Sequence, residues 1–231
     1  DGKKDFRSTM ELYEAMRTTF AAREYTGEEI PEEILYEILD NARFAPSGGN
    51  RQGNHVIIIR DKQARENLVQ LLEPAAKRYH AQVQAGENPW NAVSETTVTA
   101  DVIASTPPPA RLMEPYKKAS CLLAITLDLR VVASTDQYLD RVGVISGASI
   151  YPFVWNILLA ARQAGFGGTI TTLPAAEEPG VQKLLELPSY VAVAAIIPLG
   201  KPVRQLTKLK RRSVEEIATC DTFNGAAFLK P

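Results

Sequence analysis

Apolar and polar positions along the chain separate into a small set of periodic segments. Glu11 to Thr18 places Leu12, Ala15 and Met16 on one side, as a short helix would, and Arg23-Glu24-Tyr25-Thr26-Gly27 breaks the pattern. Pro31 to Ala45 predicts a helix more strongly. Pro31 suits its first turn, Glu32 and Glu33 complement its positive end, and Ile34, Leu35, Ile38 and Ala42 recur at helical spacing. The turn residues Pro46-Ser47-Gly48-Gly49-Asn50 end it. Three β-branched or apolar runs, His55 to Ile59, Cys121 to Leu129 and Val191 to Leu199, predict buried strands.

Asp61 to His80 reads as an amphipathic helix with Leu68, Leu71 and Leu72 inward, and a short helix is predicted around Val181 to Leu187. Val142 to Ala164 is apolar almost all round, which predicts a helix covered on every side, with Pro152 near its start or at a kink. In a chain of this size such a helix suggests a face shared with a second subunit. Ala81 to Pro115 carries five prolines and little periodicity, the pattern of a lid or a binding loop. Helices dispersed among a few short strands, without repeats or a boundary, predict one α+β or α/β layered domain over residues 10–231. Asp1 to Thr9 is polar, as a flexible or extraneous N-terminal extension would be.

Composition narrows the chemistry. The 231 residues hold 26 Lys and Arg against 27 Asp and Glu, so net charge supplies no case for nucleic acid. No apolar run is long enough to span a bilayer, and Asp1 to Glu11 lacks the apolar centre of a cleavable signal; a cytoplasmic protein is expected. Two histidines, His55 and His80, and two cysteines, Cys121 and Cys220, offer no metal-ligand spacing. Cys121, inside an apolar strand, reads as inert core. There is no Walker A sequence, no dinucleotide fingerprint at Gly165 to Gly168, and no nucleophile elbow around Ser149.

Three features survive this sieve. Ala45 to Gln52 joins a helix to a strand with two glycines, a serine, an asparagine and a glutamine, either as a plain turn or as a loop whose backbone meets a polar ring edge. Arg23 follows a short helix, where it is either solvated or grips a phosphate. Residues 201–212 hold six cations and no acid, which makes either a solvated tail or an anion site.

Taken in order along the chain, these stretches resemble the nitroreductase family of flavoenzymes. Thr19 to Tyr25 is similar to the family's Arg-Arg-Ser-x-Arg-x-aromatic motif, and Ala45 to Gln52 to its Ala-Pro-Ser-x-x-Asn-x-Gln loop. Gly167 to Pro174 is similar to its Gly-rich and Thr-rich flavin loop, Leu199-Gly200-Lys201-Pro202 to its strand ending, and Lys210 to Glu216 to its closing basic motif. The resemblance implies an α+β fold with a central, mostly antiparallel sheet flanked by helices. It also implies a homodimer whose C-terminal tail reaches the partner, with FMN held at the subunit interface.

Carried over residue by residue, it implies phosphate contacts from Arg23, Arg211 and Lys210, with Thr19 where the family has its first Arg. Pro46, Ser47, Gly48, Asn50 and Gln52 would contact the flavin, the loop reaching it from the partner subunit. Thr171, Thr172 and Leu173 would line the flavin edge. Ala21 replaces the family's Ser, and Leu173 stands where deiodinase-like relatives carry a Thr, which favours two-electron chemistry. The implied reaction is hydride transfer from NAD(P)H to a nitroaromatic, a quinone or a similar small oxidant, with no side chain as catalyst and no metal. The basic segment at 201–212 tilts the donor towards NADPH. Trp90 and Tyr116 are candidates to stack on the substrate beneath a lid. The alternatives are a flavin carrier or sensor without turnover, or a family branch that fragments flavin, dehydrogenates or dehalogenates.

Overall fold

The computed structural model describes residues 10–231, so the expectation for residues 1–9 lies outside the described residues. The elements run α1 (Leu12–Thr18), α2 (Glu32–Ala42), β1 (Asn54–Ile59), α3 (Lys62–Gln84), α4 (Ala100–Ser105), α5 (Ala110–Lys118), β2 (Cys121–Asp128), α6 (Tyr151–Gln163), β3 (Gly167–Gly168), α7 (Leu173–Ala176), α8 (Glu178–Leu184) and β4 (Val191–Gly200). The sheet has the order β1-β2-β4-β3 with every pair antiparallel. This is the antiparallel sheet flanked by helices that the sequence predicts.

Strand β2 is central and covered on both faces, which is why it reads as an unbroken apolar run rather than an alternation. Its odd positions Cys121, Leu123, Ile125 and Leu127 enter a core with α2 and α6. Leu122 and Ala124 point the other way, into a core with Leu68 and Leu72 of α3, Met113 and Tyr116 of α5, and Val181 of α8. A register shift between Ile125 and Thr126 marks a bulge against β4.

The long stretch expected to be loop is more ordered than its prolines suggest. Helix α3 continues through Pro74 to Gln84, and α5 contains Pro115. Pro109 occupies the residue before the first turn of α5, where its missing N–H costs nothing. The all-apolar helix is shorter than expected: α6 begins at Tyr151 with Pro152 in its first turn, and Ile145–Ser149 forms a separate 3-10 turn. Its buried side carries Phe153, Val154, Ile157, Leu158 and Ala161, while Tyr151 and Trp155 remain 40% and 38% exposed.

Edge strand β3 exists because glycine permits it. A Cβ on Gly168 would sit 2.7 Å from the Pro198 carbonyl oxygen and 2.9 Å from Ile197 Cγ2. Gly168→Ala therefore overpacks the edge on which the following threonines are hung. We expect it to destabilise the protein by about 1–3 kcal/mol in chemical denaturation; unchanged stability would show that this edge yields freely.

Candidate functional site at the sheet edge

Beyond β3 the chain stays on the sheet: Thr171 donates its N–H to Ile196 O at 3.0 Å and accepts the Ile196 N–H at 2.9 Å. Outside β3 lies the segment after α1. Ala22 N–H donates to Gly168 O at 3.0 Å, Thr26 N–H to Lys201 O at 2.9 Å, and Val203 N–H to Glu24 O at 3.0 Å. Tyr25 anchors this segment, its hydroxyl lying 2.7 Å from Ala22 O and 2.8 Å from Pro198 O. Burial holds that phenol un-ionised by raising its pKa. The Gln205 amide donates to Thr18 O at 3.0 Å. The first motif, the Thr-rich stretch and the start of the basic tail are thus joined, although the first and last lie some 180 residues apart in sequence.

A cavity of about 730 Å³ opens against this junction, within the range of small-molecule sites. One wall is Thr169 to Leu173 with Arg23; the others include Tyr79, Trp90, Arg111, Leu112 and Pro115. The lining holds two guanidinium groups and no Asp, Glu, His or Cys. Arg23 makes one bond of 3.3 Å to Ala21 O, and neither it nor Arg111 forms an ion pair among the described residues. Two uncompensated cations in an apolar-walled cavity suit an amphipathic anion, and in that respect the residues fit a flavin mononucleotide.

Trp90 lies on this wall in a left-handed backbone conformation (φ 56°) that tryptophan rarely adopts. Its N–H donates to Oε1 of Gln82, a buried side chain, at 3.2 Å, and Arg78 stacks over the ring at 4.4 Å. The loop is cinched by Glu87, whose carboxylate accepts from Thr96 Oγ1 (2.7 Å), Thr97 N–H (2.7 Å) and Thr97 Oγ1 (2.8 Å). Those donors pull the Glu87 pKa down to about 2, the Thr96 hydroxyl first among them.

Tyr116 requires a correction. It is not available to stack on a substrate, because it is fully buried in the core beneath α3 with its hydroxyl bonded to Thr171 Oγ1. Its role is to hold the threonine wall from behind, and burial keeps its phenol neutral. Thr19 is 4% exposed and donates its hydroxyl to Ala15 O at 2.7 Å, so that proton is committed to the end of α1 rather than offered to an anion. Cys121 is buried, with its thiol pushed up to about 11 by desolvation, so it supplies no nucleophile.

The 46–52 loop does not line this cavity. Pro46, Gly48, Asn50 and Gln52 are exposed on a tightly wound turn in which Gly49, Asn50 and Gln52 all have positive φ. Ser47 Oγ accepts the Gln52 N–H at 2.9 Å, and Gly48 N–H donates to Ser149 Oγ at 3.2 Å, fixing the loop to the turn before α6. Lys210 and Arg211 are also exposed and outside the cavity, without ion pairs among the described residues. Arg111 and Tyr79 were missed in the sequence. A cation in the first turn of a helix, against its dipole, is the signal that pointed to Arg111.

The profile of the nitroreductase family matches residues 16–201, which covers the junction and the whole sheet. The chain belongs to the nitroreductase family. Among its relatives is a putative NADH dehydrogenase/NAD(P)H nitroreductase of Methanothermobacter thermautotrophicus, 25% identical over 87% of this chain and 81% of the relative. An iodotyrosine deiodinase of Thermotoga neapolitana is 24% identical over 88% of this chain and 95% of the relative. The same fold appears in the crystal structure of oxidised iodotyrosine deiodinase bound to FMN and 3-iodo-L-tyrosine, with a TM-score of 0.65 and 23% identity over 92% of this chain and all of that one. These are likenesses of family and fold between the nitroreductase-family chain described here and its neighbours.

The Glu87 cinch has a pH signature. A carboxylate held below its ordinary 4.5 contributes stability above that value and loses it as pH falls towards about 2. In a Trp155→Phe background, where Trp90 is the remaining indole, its fluorescence should stay constant from neutral pH to about 4.5 and change below that. Adding Glu87→Gln should shift the signal already at neutral pH; an unaltered spectrum would remove the cinch from the account.

Proposed function

We propose that this protein is an FMN-dependent oxidoreductase that passes two electrons from NAD(P)H to a nitroaromatic, a quinone or a similar small oxidant. The observation that carries the reading is the cavity itself: two unneutralised guanidinium groups, a threonine-rich polar wall, and no carboxylate, imidazole or thiol with which protein side chains could do the chemistry. Such a site positions and polarises, and the reactivity comes from a cofactor. FMN supplies a reversible hydride acceptor when bound.

The protein's own contributions follow from its residues. Arg23 binds the phosphate or the electron-rich flavin edge through its free guanidinium, assisted by Lys210 and Arg211 of the tail. The Thr171 and Thr172 backbone lines the ring edge, and Leu173, partly buried against the core, offers no hydroxyl there. Trp90 and Pro89 exclude water from the reacting face. Donor and oxidant occupy the one cavity in turn.

A homodimer completes this reading. Tyr151 and Trp155 of α6 are exposed beside Val142, Val144 and Ile145, and the tail presents Ile217, Phe223 and Leu229 to solvent. An apolar surface of this kind is the sort that protein interfaces cover. In that arrangement Ser47, Gly48, Asn50 and Gln52 serve the partner's flavin, which accounts for a wound and exposed loop that stands outside the cavity of its own chain.

The second reading is reductive dehalogenation, favoured by the several relatives named iodotyrosine deiodinase. Leu173 in place of a Thr weighs against it. Adding NADPH anaerobically to the FMN-loaded protein tests the first reading. Prompt bleaching, followed by recolouring with a quinone, is the expected result; a persistent yellow colour would instead indicate a carrier. Arg23→Ala should raise the FMN dissociation constant by about tenfold or more. An unchanged constant would take the phosphate away from Arg23.

A further inference from the structure

We propose that Arg111 reads a carboxylate on the substrate, so that the oxidant selected by this cavity is a planar aromatic acid whose ring carries the reducible nitro or quinone group. This rests on the oxidoreductase reading and goes beyond it by naming the substrate class. The starting point is a charge imbalance: the lining carries Arg23 and Arg111 with nothing negative beside them. The two cations belong to different elements. Arg23 sits on the edge segment bonded to residues 201–203, where the basic tail begins. Arg111 comes from α5, whose Leu112 and Pro115 also line the cavity.

Among the described residues no acid pairs with Arg111. It lies in the first turn of α5, where the helix end is itself positive and a carboxylate would be the stabilising choice. Its potential partner three residues on, Glu114, is already bonded to Lys118 at 2.8 Å and lies 3.8 Å from Lys117. Those two lysines draw the Glu114 pKa down and leave Arg111 unneutralised. A cation held against a helix dipole, with no internal partner, on the wall of a cavity, favours an anionic ligand.

Under the oxidoreductase reading Arg23 takes the cofactor phosphate, which leaves Arg111 for the second ligand. Guanidinium groups pair with carboxylates through two parallel bonds, a geometry that lysine cannot copy. The body of the ligand is set by the apolar walls and by Trp90, whose indole offers a flat stacking surface at a backbone fixed through Gln82.

The test measures binding rather than turnover. Calorimetric dissociation constants for 4-nitrobenzoate and for neutral 4-nitrobenzamide are compared on the FMN-loaded wild type, Arg111→Ala and Arg111→Lys. The wild type should prefer the acid by about tenfold or more, Arg111→Ala should bind the two alike, and Arg111→Lys should keep part of the preference. FMN affinity, read by visible absorbance, should be unchanged in Arg111→Ala. Equal binding of acid and amide by the wild type would overturn the proposal. Loss of FMN from Arg111→Ala would also overturn it, assigning Arg111 to the cofactor phosphate. So would a change confined to NADPH against NADH, which would assign it to the 2′-phosphate of the donor. A wild type that takes up no FMN would sink the flavoprotein reading separately. The acid preference would then be measured on the flavin-free protein, where its presence supports Arg111 as carboxylate reader and its absence contradicts it.

Discussion

Tyr25 lies against Gly200, at the end of the last strand, with its hydroxyl placed between the carbonyls of Ala22 and Pro198. A Cβ on Gly200 would stand 2.9 Å from the Tyr25 ring, so glycine is what allows the ring to pack this closely on the strand. From this contact the rest of the site follows. It draws the segment carrying Arg23 along the outside of β3 and brings the start of the basic tail beside it. Tyr116, in the same core cluster as Tyr25, supports the threonine wall through Thr171. The cavity is therefore a consequence of a closed edge: Thr171 is held from behind by Ile196 and Tyr116, and Arg23 by a segment bonded to Gly168 and Lys201.

The chemistry of the cavity is one of positioning. Its charged lining is cationic, the nearby tyrosines at positions 25 and 116 are held neutral by burial, and Cys121 is deprived of thiolate character by the same effect. An active site that had to supply its own acid and base would show carboxylates or histidines with shifted titration, and none lines this cavity. A family whose reactivity resides in a bound flavin has no need of them. The same logic explains how one fold serves relatives with names as different as nitroreductase and iodotyrosine deiodinase.

Three of the four strands were legible: β2 and most of β4 are buried and read as apolar runs, and β1 reads as a β-branched run although His55 and Ile58 are exposed. Helix α2 was legible because its first turn and its turn-rich stop are both written in residues. Prolines misled in one region. Pro109 and Pro115 mark the start and the interior of α5 rather than a loop, and Tyr116, a candidate to stack on a substrate beneath a lid, is instead a core residue of that helix. The expected helix from Val142 was too long because Val142, Val144 and Ile145 are apolar for a reason other than helical burial: they are exposed side chains of an irregular stretch before α6. Arg23, Thr171 and Thr172 were found through motif order, and the structure brings them onto one cavity. Arg111 could not be found that way, since what distinguishes it is a missing partner, a property of the folded surroundings.

The central claim is that the uncompensated cations at this sheet edge make a site for a phosphate-bearing flavin. The most direct measurement is a paired titration of the protein with FMN and with riboflavin, which differ only in the phosphate. The account predicts that FMN binds more tightly by about tenfold or more at low salt and that the margin shrinks as salt is raised. Equal affinity for the two flavins at every salt concentration would contradict it.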